Sequence, residues 1–266
     1  MTILIVRVVS EGIIFGADRN ITEKRLESSS GQKVYTIFGQ SQQLKVLRWP
    51  NRKALIGYAG VATIGGLRAD EWFYDFIGEN PNFLNFQSLA EKLTIAVEKQ
   101  RRIDEGDCDP DSLLIHLAGF EEQNSFIVPV VWFIRNAYKV INGFYSDFRK
   151  EYQYSDEFQA SFNNIPPDQI RGILSECEAK FNPFGFQQGY DLGSFNSFDF
   201  SLKNAFSNIY QFHPDFPPPQ SLSDWEKYVK MAILTYGAFF ETYNEPGKQF
   251  VGGGADIVSL RWPESV

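Results

Sequence analysis

Two side chains near the start of the chain have types and spacing suited to chemistry: the hydroxyl of Thr2 and the carboxyl of Asp18. A threonine hydroxyl is a weak nucleophile at its own pKa and needs an adjacent base to take its proton. A free α-amino group, with a pKa of about 7.7–8.0, is close to ideal for that task at neutral pH. Thr2 carries such a group only when Met1 is removed, and small second residues are the ones that permit removal. The plain alternative is that Thr2 simply opens an edge strand.

The elements that must bring these groups together follow from the apolar pattern. Residues 2–9 and 13–17 are β-rich runs joined by the turn residues Ser10, Glu11 and Gly12. A fold-back about Glu11 pairs residues whose numbers sum to about 21, which returns Asp18 and Arg19 to the side of Thr2 and Ile3. Residues 22–43 are polar and read as a long excursion with a short strand at 34–38. A second hairpin has strands at 44–47 and 54–58 and a turn over Trp49, Pro50, Asn51 and Arg52. A turn centred on Asn51 pairs Lys45 with Gly57 and sets Lys45 beside Ala59 and Gly60.

Beyond Gly60 the period becomes helical, with Ala69, Trp72, Phe73, Phe76 and Ile77 on one face, then Phe86, Leu89, Leu93, Ala96 and Val97 on another. Strands return at 113–120 and 127–134. Amphipathic helices follow at about 145–160, 167–181 and 198–210, within an extended helical region at 136–220. Ser223 to Glu226 reads as a capping box opening a helix whose apolar face includes Trp225, Val229 and Ile233. Gly252, Gly253 and Gly254 lead into a last strand at 256–260. Strands and helices sorted in this way predict an α+β fold, with antiparallel sheets covered by helices on their outer faces.

At 266 residues the chain is long enough for a substantial core, and we read it as a single domain over 1–266. Its formal net charge of −8, with no basic cluster, argues against a nucleic-acid partner. Two cysteines, Cys108 and Cys177, are too few for a disulfide framework, so a reducing cytoplasm is the default setting. No signal peptide or membrane span is read, because Arg7 interrupts the first apolar run and the longest one contains Pro129.

The chain resembles the proteasome β-subunit and bacterial HslV peptidase family, the N-terminal-threonine branch of the Ntn hydrolases. The resemblance rests on Thr2, on Gly12 through Asp18, on Lys45 and Val46, and on Ile56 through Gly60 followed by a helix. It covers residues 2–77 well, 111–134 and 222–260 less closely, and 136–220 poorly. It implies a four-layer αββα sandwich of two antiparallel sheets between helices. It further implies Thr2 as nucleophile, Lys45 as the charge that lowers the nucleophile's pKa, Asp18 as that lysine's anchor, and the Gly60 N–H as oxyanion donor. An accessory serine of the family finds its nearest match in Ser194. Where the family carries a further Asp and Ser before the last strand, this chain has Gln249 and Gly252.

Other residue patterns point to less. His116 lies in an apolar strand and His213 in a loop, so neither metal nor cofactor is expected. Cys177 sits on an apolar helix face and reads as core. The plain alternative for Asp18 and Lys45 is a structural ion pair that anchors a loop. The expected function is a threonine peptidase or amidase acting on a peptide or amide substrate, assembled as a homo-oligomeric ring. No unfoldase partner is legible. A catalytically silent proteasome-like subunit and a stand-alone small-molecule Ntn amidase are the alternatives.

Overall fold

The opening hairpin pairs as its turn predicts. In this computed structural model β1 (Ile3–Val9) runs antiparallel to β2 (Gly12–Asp18), with Leu4 opposite Ala17 and Val9 opposite Gly12. The structure describes residues 3–29, 32–51, 53–60, 62–104, 113–136, 138–141, 144–148, 152–189, 192–213, 215–243 and 251–263. Thr2 lies outside these residues.

The polar excursion is a long two-stranded ribbon, β3 (Asn20–Ser29) with β4 (Gln32–Gln42), where the sequence predicts only a short strand at 34–38. Next come β5 (Val46–Arg48), β6 (Ala54–Ala59), the short pair β7 (Thr63–Ile64) and β8 (Leu67–Arg68), then α1 (Ala69–Glu79) and α2 (Phe86–Asp104). The chain continues through β9 (Leu114–Gln123), β10 (Phe126–Arg135), β11 (Tyr138–Ile141), β12 (Phe144–Phe148), β13 (Gln153–Asp156), α3 (Glu157–Phe162) and α4 (Pro167–Ala179). It closes with β14 (Phe184–Gly189), α5 (Leu192–Phe212), α6 (Leu222–Tyr243) and β15 (Ala255–Arg261).

Two antiparallel sheets organise these elements, in the orders β14-β1-β2-β15 and β13-β10-β9-β6-β5. Period-two alternation decides what each strand faces. Leu4, Val6, Val8, Ile13, Phe15 and Ala17 pack with Leu55, Ala118 and Val131 between the sheets. The alternate residues Ile3, Ile5, Val9 and Ile14 pack beneath Trp225, Val229 and Ile233 of α6. On the far side, Ile56, Tyr58, Ile115 and Leu117 carry α1 and α2 through Phe73, Phe76, Leu89 and Leu93. The result is an α+β sandwich. Full burial of one such side chain contributes about 1.5–3 kcal/mol. The sheets approach closely at Gly57, where an added Cβ would lie 2.8 Å from Leu4.

Within residues 136–220 the helices expected at 167–181 and 198–210 are α4 and α5, but the rest differs from the helical prediction. The helix expected near 145–160 is β12, β13 and the short α3, and β14 was not anticipated at all. β13 pairs with β10 and β14 with β1, so this segment supplies an edge strand to each sheet. The cap of α6 also lies two residues earlier than the Ser223–Glu226 pattern. Ser221 Oγ accepts from the Asp224 N–H at 3.2 Å and donates to the Asp224 carboxylate at 2.7 Å.

One buried charge cluster ties α5 to the first sheet. Arg7, on the α6 side of β1, donates from Nη2 to both Asp199 oxygens at 3.0 Å, and Lys203 lies 2.9 Å from the same carboxylate. Burial, with Arg7 next, lowers the Lys203 pKa. Asp199→Ala leaves two cations facing each other, although Arg7 keeps Gln187 and the Val6 carbonyl as acceptors. A stability loss of about 3 kcal/mol is expected, measured by denaturant unfolding. Lys203→Ala should cost clearly less, since that amine is partly exposed. Among the described residues no helix is long and apolar enough to cross a membrane.

Candidate functional site

Asp18 ends β2, and the hairpin register carries it back to the first described residue of β1. Its Oδ1 accepts from the Ile3 N–H at 2.7 Å and from Lys45 Nζ at 3.1 Å, while Oδ2 accepts from the Gly252 N–H at 3.4 Å. Lys45 immediately precedes β5 in the second sheet, so the ion pair joins the two sheets at one end. Both side chains are 0% exposed. The ammonium also donates to the Asn20 carbonyl.

Lys45 itself is fixed by β6. Its carbonyl accepts from the Tyr58 N–H at 2.9 Å, and Val46 is the residue opposite Gly57. The hairpin is therefore shifted by one residue from the sequence expectation that Lys45 faces Gly57. Trp49 bonds Ala54 across a loop of four residues, so the hairpin is not centred on Asn51. Gly60 follows β6 two residues beyond Tyr58, is exposed and holds φ +120°, a conformation that favours glycine. Gly60 therefore lies two residues beyond the Tyr58 N–H that bonds the Lys45 carbonyl.

Burial dominates the electrostatics of the pair. It raises the Asp18 pKa above the ordinary carboxylate value, against the opposing pull of Lys45 and of the Ile3 and Gly252 N–H groups. It lowers the Lys45 pKa below the ordinary ammonium value, against Asp18 and Asp256. A buried ammonium held against a carboxylate at this strand end is suited to electrostatic activation of a neighbouring nucleophile. Tyr58 is no acid here: burial pushes its hydroxyl upward, and it donates to the Leu44 carbonyl at 2.9 Å.

The remaining predicted residues divide as follows. Ser194 lies in the first turn of α5, after β14 has placed Gly189 opposite Ile3, but its side chain is outside the description, as are Thr2 and Gln249. His116 is fully buried and stacked on Phe133, with centroids 4.0 Å apart, and His213 is exposed. Cys177 is half-buried in α4; Cys108 is outside the described residues. Among the described residues no three His, Cys, Asp or Glu side chains group as metal ligands. Asn20 and the Gly252–Gly254 backbone are participants that sequence reasoning missed. Three consecutive glycines before a strand were their one signal, since such a run permits close backbone approach.

The sequence matches no family model and has no significant match among curated proteins.

Proposed function

We propose that the chain is a threonine-type N-terminal nucleophile peptidase or amidase with a proteasome-like αββα fold. The observation that supports this most is the fully buried Asp18–Lys45 pair, anchored on the N–H of the residue that follows Thr2. A buried ion pair adds little net stability, so its presence at one strand end calls for another reason.

With Met1 removed, Thr2 Oγ1 attacks the amide carbon while its proton passes to the freed α-amine, with Lys45 favouring the alkoxide. The Gly60 N–H receives the developing oxyanion. Collapse breaks the C–N bond, the protonated amine leaves, and an ester remains on Thr2. Water then attacks the ester carbon, the C–O bond to Thr2 breaks, and the carboxylic acid product leaves with the Thr2 hydroxyl restored. Self-assembly into a ring would confine the site, and a native mass of one or two chains would overturn that part of the proposal.

The decisive test combines intact mass with a single substitution. Protein expressed from its native start codon should lack one methionine and hydrolyse members of a fluorogenic peptide or amide panel. Thr2→Ala should reduce turnover by at least about a thousandfold with no change in melting temperature. A variant that kept the wild-type rate would remove Thr2 from the mechanism. A retained Met1 with no turnover would support the silent-subunit alternative, which the missing accessory groups at Gln249 and Gly252 favour.

A further inference from the structure

Both groups that hold the Lys45 ammonium, the Asp18 carboxylate and the Asn20 carbonyl, are themselves held by one short backbone segment. The Gly252 N–H donates to Asp18 Oδ2 at 3.4 Å, and the Gly252 carbonyl accepts from the Arg19 and Asn20 N–H groups at 3.2 Å each. Gly252, Gly253 and Gly254 hold φ of +146°, +69° and +101° in succession. Such a run is accessible to glycine and strained for other residues. The segment also lies tight against Asn20, a buried side chain: a Cβ on Gly253 would fall 2.2 Å from Asn20 Oδ1. β15 then leaves the segment paired with β2, Ala255 opposite Asp18, so the strap cannot drift from the pair without breaking that register. Arg19 closes the other side through Asp256, with Nε 2.9 Å from the carboxylate.

We propose that Gly252–Gly254 is a positioning strap for the Asp18–Lys45 pair, in which backbone amide and carbonyl groups do what side chains could otherwise do. It fixes the Asp18 carboxylate with one N–H and the Asn20 carbonyl by gripping the adjacent peptide. The ammonium is thereby held between two acceptors and shielded from water. A side chain on Gly252 or Gly253 would press on Asn20, separate the strap from it, admit water and let Lys45 relax toward an ordinary lysine. The assignment of a strap rests on geometry alone; its consequence for turnover rests on the peptidase reading above.

The test uses the full chain with Gly253→Ala, Asn20→Ala and the double substitution. Lysine side-chain NMR follows the titration of Lys45, identified by the signal missing in Lys45→Arg, and hydrolysis is recorded against pH. Gly253→Ala should shift the Lys45 titration upward and reduce kcat at least about tenfold with KM little changed. Asn20→Ala alone should shift it in the same direction, and added to Gly253→Ala it should relieve the clash and recover part of the lost kcat. A Lys45 titration at its wild-type position in Gly253→Ala would overturn the strap. If Gly253→Ala does not fold, Asn20→Ala decides by the same criterion. A shifted titration in a protein that shows no turnover even as wild type would uphold the strap and refute the peptidase reading instead.

Discussion

Lys45→Ala is expected to abolish turnover and to lower folding stability by about 3–5 kcal/mol at pH 7. The loss is large because the substitution leaves the Asp18 carboxylate fully buried with no compensating charge. Its remaining partners, the Ile3 and Gly252 N–H groups, supply hydrogen bonds but no cation. Asp18 would then take up a proton more readily still. A carboxyl whose folded pKa lies above its unfolded value stabilises fully below the unfolded pKa and loses that contribution as pH rises. The deficit of Lys45→Ala should therefore shrink on acidification toward pH 4, in urea unfolding followed across pH. Asp18→Asn combined with Lys45→Met separates structure from chemistry. The amide can still accept from Ile3, and the methionine fills the lysine volume, so the double variant should recover at least half of the lost stability and none of the turnover. Recovery of turnover would make the pair purely structural, and a wild-type rate in Lys45→Ala would place the chemistry elsewhere.

What the pair does follows from where the sheets put it. Each sheet supplies one charge, and neither charge has water to fall back on. The Asp18 end of β2 reports on β1 through Ile3 and on the glycine segment ahead of the last strand through Gly252, while Lys45 reports on β6 through Tyr58. A shift of either sheet would therefore be felt at one ion pair. Such rigidity serves a site whose reacting groups must hold a fixed geometry, and it costs the desolvation of two charges.

The parts of this arrangement that were legible share a physical cause. The register of β1 on β2 could be counted because the turn is short and both flanking runs are unbroken apolar stretches, one of which must face the core. Lys45 was misplaced by one residue because the Trp49–Ala54 loop has four residues and no Asn-Gly or similar signal to centre it. The β3–β4 ribbon belongs to neither main sheet, so no buried face imprinted an alternation on it. β14 is an edge strand of six residues containing two glycines and two glutamines, too short and too polar to register against the flanking helical pattern. Asn20 and Gly252 act through backbone atoms, and a residue that contributes only its N–H or C=O leaves almost no trace in its side-chain type.

His116 should make the protein acid-labile in a way one substitution can isolate. It lies in β9 between Gly57 and Phe133, 1% exposed, and among the described residues neither ring nitrogen has a hydrogen-bond partner. Burial, with a smaller contribution from Arg135, pushes its pKa down to about 3. The unfolded chain binds a proton at this residue below about pH 6.5, whereas the folded protein does not until near pH 3. Stability from this group is therefore intact above pH 6.5 and drains away as pH falls through that window. At about 1.36 kcal/mol per unit, the full loss is on the order of 5 kcal/mol. Asp18 runs the opposite way, since a raised carboxyl pKa favours the folded state on acidification, so the wild-type profile alone would understate the effect. His116→Phe keeps an aromatic ring against Phe133 and removes the titration. The gap in unfolding free energy between His116→Phe and wild type should widen steadily from pH 6.5 to pH 3.5, and a gap independent of pH would show that His116 is charged, or paired, inside the fold.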